Sequence, residues 1–146
     1  VMVESRLELA KKAGVEEVYN SKDVDPAELK ERGFDVVVDT TGSQQGLDLS
    51  TDIVKRGGKI NLFGWIKGEQ ATFVPHKWHL GGFTVVNSAP ASKIRDAFGP
   101  AIQLIHKGII DLKPLVTHTV TLSGYPRLME QILAGDESYV KGVVTL

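Results

Sequence analysis

The chain contains no cysteine, which excludes disulfides, thiolate zinc sites and cysteine nucleophiles and leaves the redox compartment undetermined. Charge of one sign is also missing. Lys and Arg number 17 against 18 Asp and Glu, a formal net charge of −1, so nothing draws the chain generally to nucleic acid or an anionic membrane. No apolar run approaches the roughly 18 to 20 residues of a membrane-spanning helix, and no charged stretch leads into an apolar signal core. No internal repeat or low-complexity segment is present. These absences predict a soluble, cytoplasmic protein whose partners are small molecules. The 146 residues are about the length of one domain and are enough to bury a core.

What is present alternates between strand and helix. Val1-Met2-Val3 reads as a buried strand with no polar lead-in, as if the chain were a fragment beginning inside a domain. Ser5 and Glu8 have capping-box spacing, which predicts a helix through "LELAKKAG" ending at Gly14. Val18 and Tyr19 are expected to form a short strand, and "DPAELKER" a short helix with Pro26 at its first position. "FDVVVDTTGS" is the most strand-prone stretch: its continuous valines predict a strand buried on both faces, ending in a small, hydroxylic turn. Ser43 can cap the next helix, whose Leu47, Ile53 and Val54 should point inward before "KRGG" ends it. Lys59 to Phe63 and "FTVVNS" are further strands, with a helical turn at His76 to Leu80 between them. This alternation predicts an α/β fold with a doubly wound parallel sheet. Beyond residue 90 a helix over 92–107 should bury Phe98, Ala101, Ile102 and Ile105, with Pro100 a kink or a later start. "LVTHTVTL", "YPRLMEQILAG" and "KGVVTL" read as strand, helix and strand.

Six phrases in this order, "RLELAKKAG", "FDVVVDTTGS", "GGKINLFGW", "FTVVNS", "PLVTHTV" and "YVKGVVTL", resemble the carboxyl-terminal portion of the zinc-type medium-chain alcohol dehydrogenase family, nearest its sorbitol and threonine dehydrogenase branch. The resemblance implies a Rossmann fold lacking its first strand, since no GxGxxG occurs anywhere in the chain. It further implies a partial dinucleotide-binding domain over residues 1–90. Residues 91–146 would then be a helix-strand-helix-strand segment returning to a catalytic domain that is absent from this chain. Zinc and the catalytic side chains would belong to that domain, so no residue here is assigned to catalysis or to metal.

By the same resemblance, Glu4 follows the second Rossmann strand and would accept hydrogen bonds from the adenosine ribose, favouring NAD. Arg6 could instead pair with a 2′-phosphate, which keeps NADP open. Thr40 and Thr41 would lie beside the cofactor ribose. Phe63, Gly64 and Trp65 would pass the nicotinamide ribose, with Gly64 permitting close approach and Trp65 covering the sheet edge. Asn87 and Ser88 would hold the carboxamide, and Lys141 would reach the pyrophosphate. His76 and His79 share a helical face but lack a third ligand, and His118 is expected to make a structural hydrogen bond.

The function implied is cofactor binding within an NAD(P)-dependent oxidoreductase that takes a hydride from a secondary alcohol or polyol. Strand 83–88 would pair two copies into a homo-oligomer. An alternative is a non-catalytic nucleotide-sensing or interaction module, and a methyltransferase-like domain is a weaker third reading.

Overall fold

The computed structural model describes residues 3–64, 68, 70–88 and 94–146. The chain divides into two compact units, one comprising Asp25–Ile94 and the other Val1–Val24 with Arg95–Leu146.

The Asp25–Ile94 unit starts at a helix fixed by two local devices. The Asp25 carboxylate accepts the Ala27 N–H at 2.8 Å, and Pro26, with no N–H to satisfy, opens α2 (Pro26–Arg32). Gly33, at φ +60°, turns the chain into β1 (Phe34–Asp39). Next come α3 (Gln44–Ile53), β2 (Val54–Leu62), α4 (Pro75–Gly81) and β3 (Thr84–Asn87). The strands form one parallel sheet in the order β1-β2-β3. Val37, Ile60 and Val85 lie side by side in register, and Ile60 at their centre is fully buried. Burial of one such side chain is worth about 2–3 kcal/mol. Helix α3 packs on β1 and β2, α2 on α3, and α4 on β2.

Two expectations for this unit need correction. The valine strand is not buried on both faces: Val36 and Val38 are 58% and 50% exposed, whereas Val37, on the opposite face, is half-buried. Double-sided burial needs a second layer, and among the described residues none covers the Val36–Val38 face. Nor does "KRGG" end a helix. Helix α3 stops at Ile53, and β2 runs through Val54–Leu62, with a register break between Phe34↔Val54 and Val36↔Lys59. Gly57, at φ +73°, makes that break possible. Gly58 also matters, because a Cβ there would stand 2.9 Å from the Asp35 carbonyl oxygen.

In the second unit, α1 (Glu4–Lys12) begins after extended Val3, and Gly14 at φ +91° follows its carboxyl end as expected. The capping box does not form. Ser5 lies inside the first turn and its hydroxyl donates to the Glu137 carbonyl at 3.0 Å, while Glu4 places its carboxylate at the helix amino terminus. The proposed strand Val1–Val3 lies outside the described residues except for Val3. Val18 and Tyr19 form no strand; the chain instead turns after them, where the Asn20 side chain accepts the Lys22 N–H and its carbonyl accepts those of Asp23 and Val24.

Helix α5 (Ile94–His106) contains Pro100 and leads through a 3₁₀ turn (Lys113–Leu115) to β4 (Val116–Thr121). A second such turn (Leu122–Gly124), α6 (Tyr125–Leu133) and β5 (Lys141–Thr145) follow. Strands β4 and β5 pair in parallel, and α6 buries Leu128. The expected burial along α5 is not found: Phe98 is 64% exposed, and Ile102 and Ile105 are exposed as well. The apolar spacing of α5 suits packing, but no described element covers that stripe.

Candidate functional site

Parallel pairing brings Asp39, Leu62 and Asn87 into register at the ends of β1, β2 and β3, so the three following turns leave from one edge of the sheet. In open parallel α/β sheets this carboxyl edge is where ligands bind. The arrangement is specific to the residues that end each strand.

After β1 the chain ties a knot. Asp39, 7% exposed, accepts with Oδ1 both the Thr41 N–H at 2.8 Å and the Thr41 hydroxyl at 2.7 Å. The Ser43 N–H donates to Thr41 Oγ1 at 3.2 Å, and the hydroxyls of Thr41 and Ser43 lie 2.9 Å apart. Ser43 caps α3 as expected, accepting the Gly46 N–H at 3.0 Å. Asp39 also joins the neighbouring strand end: its carbonyl accepts the N–H groups of Phe63 at 2.9 Å and Gly64 at 2.8 Å. A buried carboxylate thus has its bonds supplied by its own turn.

Two glycines make the knot possible by their lack of a side chain. A Cβ on Gly64 would stand 2.5 Å from the Gly42 nitrogen and 2.7 Å from the Thr40 carbonyl oxygen. One on Gly46 would stand 2.1 Å from Thr41 Oγ1 and 2.7 Å from Asp39 Oδ1. Gly64 therefore serves a close approach of two protein backbones.

Beside the knot lies a pocket of about 50 Å³, bounded by Asp39, Gly42 and Ser43, by Gly64 after β2, and by Gln70 and Ala71. At about 10–15 Å³ per water, it holds a few waters or one small flat group rather than a whole nucleotide. Among the described residues no His, Lys, Tyr or Cys lines it, and the one carboxylate among them is engaged within the turn. The arrangement offers shape and main-chain polar groups for recognition, without a proton-transfer pair.

Thr40, Thr41, Phe63, Gly64, Asn87 and Ser88 all fall at this edge. Ser88 is tied back by its N–H to the Leu62 carbonyl at 3.2 Å and by its hydroxyl to Asn61 Oδ1 at 2.8 Å. Trp65 lies outside the described residues. Glu4, Arg6 and Lys141 belong to the other unit. There Glu4 is exposed, and Arg6 Nη2 donates to the Tyr139 carbonyl at 3.4 Å, two residues before Lys141 opens β5. His118 makes the expected hydrogen bond, with Nδ1 2.9 Å from the Thr117 hydroxyl. Sequence reading missed Asp39, Gly42, Gln44, Gln70 and Ala71 as parts of the edge. Asp39 carried a usable signal, because an Asx side chain bonds the backbone two residues on.

An open parallel α/β sheet with a recess at its carboxyl edge is the structural class. A family model for zinc-binding dehydrogenases matches residues 1–107, and the chain belongs to that family. The chain is 27% identical over 136 residues to L-threonine 3-dehydrogenase of Caldanaerobacter subterraneus subsp. tengcongensis, covering 89% of this chain and 39% of that one. Among solved structures, benzyl alcohol dehydrogenase from Acinetobacter calcoaceticus superposes with a TM-score of 0.83 at 28% identity, over 100% of this chain and 41% of the other. A short chain alcohol dehydrogenase from E. coli CFT073 complexed with cofactor NADH gives a TM-score of 0.85 at 19% identity, over 100% and 43%, which supports the fold. The chain spans about two fifths of the length of these relatives. The zinc in the family's name does not fit the residues present: there is no cysteine, and among the described residues no three His, Asp or Glu side chains meet to hold a metal.

Proposed function

We propose that the whole protein is an NAD(P)-dependent dehydrogenase that moves a hydride between nicotinamide and a secondary alcohol, such as a polyol or amino alcohol, and that this chain supplies part of the dinucleotide shelf. The observation that carries the reading is the register of Asp39, Leu62 and Asn87, which sends three strand ends to one edge beside a recess bounded by Gly42 and Gly64. Family membership supports it. In this reading Thr40, Thr41, Phe63 and Gly64 border the riboses, and Asn87 and Ser88 meet the carboxamide. Glu4 takes the adenosine ribose hydroxyls and selects NAD, Arg6 is the competing NADP contact, and Lys141 meets the pyrophosphate. The chemistry of hydride transfer is the cofactor's; the residues here bind and orient it. Any zinc the protein uses is held by residues beyond these 146. The proposal retains residues 1–90 as the cofactor portion and 91–146 as the returning segment. It also includes pairing of two copies through β3, which among the described residues is an edge strand partnered by β2. No described helix is long and apolar enough to cross a membrane, and the proposed setting is the cytoplasm.

The test is a titration of the full-length protein with NADH, NADPH and adenosine, followed by nicotinamide fluorescence and calorimetry. Saturable NADH binding, weakened at least tenfold for NADPH, is expected. Absence of saturable binding of either dinucleotide overturns the proposal.

A further inference from the structure

Outside the knot, one contact joins the first turn of α3 to the crossover that follows β2. The Gln44 side-chain amide pairs with the main chain of Thr72 in both directions: Nε2 donates to the Thr72 carbonyl at 2.8 Å, and Oε1 accepts the Thr72 N–H at 2.8 Å. The second hydrogen of Nε2 goes to Asp48 Oδ1 at 2.9 Å, and the Thr72 hydroxyl lies 3.4 Å from Oε1. An amide offers two donors and one acceptor oxygen, so Gln44 has its capacity filled. It mimics one rung of a sheet and pins residues 70–74, which among the described residues pair with no strand. Gln70 and Ala71 of that segment line the pocket together with Gly42 and Ser43, and Gln44 lines the same pocket.

We infer that Gln44 is a positioning residue for the pocket wall: its two-way clasp on Thr72 sets where Gln70 and Ala71 stand and so fixes the width of the recess beside which the dinucleotide lies. No other residue type of this length fills the role. Glutamate cannot donate to the Thr72 carbonyl and would face Asp48 with a second negative charge, while leucine keeps the volume and makes neither bond. The clasp and ligand act on one wall, so each should reinforce the other by the same factor. The inference rests on the reading that a dinucleotide occupies this edge.

The experiment uses the full-length protein and compares Gln44→Leu and Gln44→Glu with Gln45→Leu, the same change at the exposed neighbouring position. Hydrogen exchange at the Thr72 amide is read with and without saturating NADH, and NADH affinity is measured by fluorescence titration. Two lost hydrogen bonds should speed Thr72 exchange about tenfold in Gln44→Leu, leave the Ile60 amide of β2 unchanged, and weaken NADH by a similar factor. In wild type NADH should slow Thr72 exchange further, a response lost in both Gln44 variants and kept in Gln45→Leu. Gln44→Glu keeps the acceptor and should fall between wild type and Gln44→Leu, which preserves the test if the leucine variant folds poorly. Unchanged Thr72 exchange, or faster exchange with unchanged NADH affinity, overturns the inference while leaving the cofactor reading intact. A wild-type protein that binds no NADH overturns both.

Discussion

Replacing Gly64 with alanine tests the geometry on which the carboxyl edge depends. A methyl there meets three main-chain atoms at once: the Gly42 nitrogen at 2.5 Å, the Thr40 carbonyl carbon at 2.6 Å and the Thr40 carbonyl oxygen at 2.7 Å. Overpacking costs typically about 1–3 kcal/mol where side chains can rotate aside. Here the obstruction is backbone, so relief requires parting the two strand ends and losing the bonds from Phe63 and Gly64 to the Asp39 carbonyl, at about 1 kcal/mol each. The expected loss is about 3–5 kcal/mol, a large part of the 5–15 kcal/mol by which a domain is ordinarily stable. Urea unfolding followed by tryptophan fluorescence suits the measurement. Trp78 belongs to the Asp25–Ile94 unit, and its ring packs 4.3 Å from that of Phe73 and 5.6 Å from that of Phe83. With a slope of about 1 kcal/mol/M, the midpoint should fall by about 3 M or the transition should vanish. Gly124→Ala is the comparison, because its added methyl first meets Val120 Cβ at 3.4 Å, an ordinary contact, and the cost should stay below about 1 kcal/mol. A Gly64→Ala stability within about 0.5 kcal/mol of wild type would refute the close approach of the two turns.

Asp25→Ala should remove the α2 cap to Ala27 and cost about 1 kcal/mol, read as a lower urea midpoint by the same fluorescence; no change would mean that Pro26 alone sets the helix start. In the other unit, the Ser138 hydroxyl at 2.6 Å and N–H at 2.9 Å hold the Asp136 carboxyl below its ordinary range, with His118 contributing less. A depressed native value means that this stabilisation is present above the unfolded carboxylate's titration range and is lost as pH falls through the native value. Thermal unfolding from pH 7 down to pH 2 should therefore show wild type converging on Asp136→Asn in acid, with Ser138→Ala between them; parallel curves would contradict the assignment.

Much of the fold was legible because its signals are local. Asp25-Pro26 is a helix start in any context, Ser43 caps α3 through a bond three residues away, and β1 is recognisable from its valines. Two of the errors share one cause. The valine run carries the composition of a strand covered twice, and the α5 spacing that of a packed helix, yet Val36, Val38 and Phe98 stand exposed. Composition records what a segment is suited to lie against, while exposure depends on which neighbours are there to cover it. "KRGG" misled for a related reason: glycines that would end a helix also permit a register break inside β2, and only pairing with β1 decides between these.

The edge itself divides along the same line. Asp39 to Ser43 could be read as a self-bonded turn, since each donor finds its acceptor within a few residues. Gly64 and Gly46 could not be read in this way. Neither has positive φ, so no turn type demands them, and they are glycines because Thr40 to Gly42 and the Asp39–Thr41 pair stand where a Cβ would be. Gln44 and Thr72 are 28 residues apart, and no pattern in the chain links them. The parts of the site that were hidden are those where separate strand ends meet. Because the pocket walls are made there, the recess is a property of how β1 and β2 finish together, and a change at any one of Gly42, Gly64 or Gln44 should be felt by the other two.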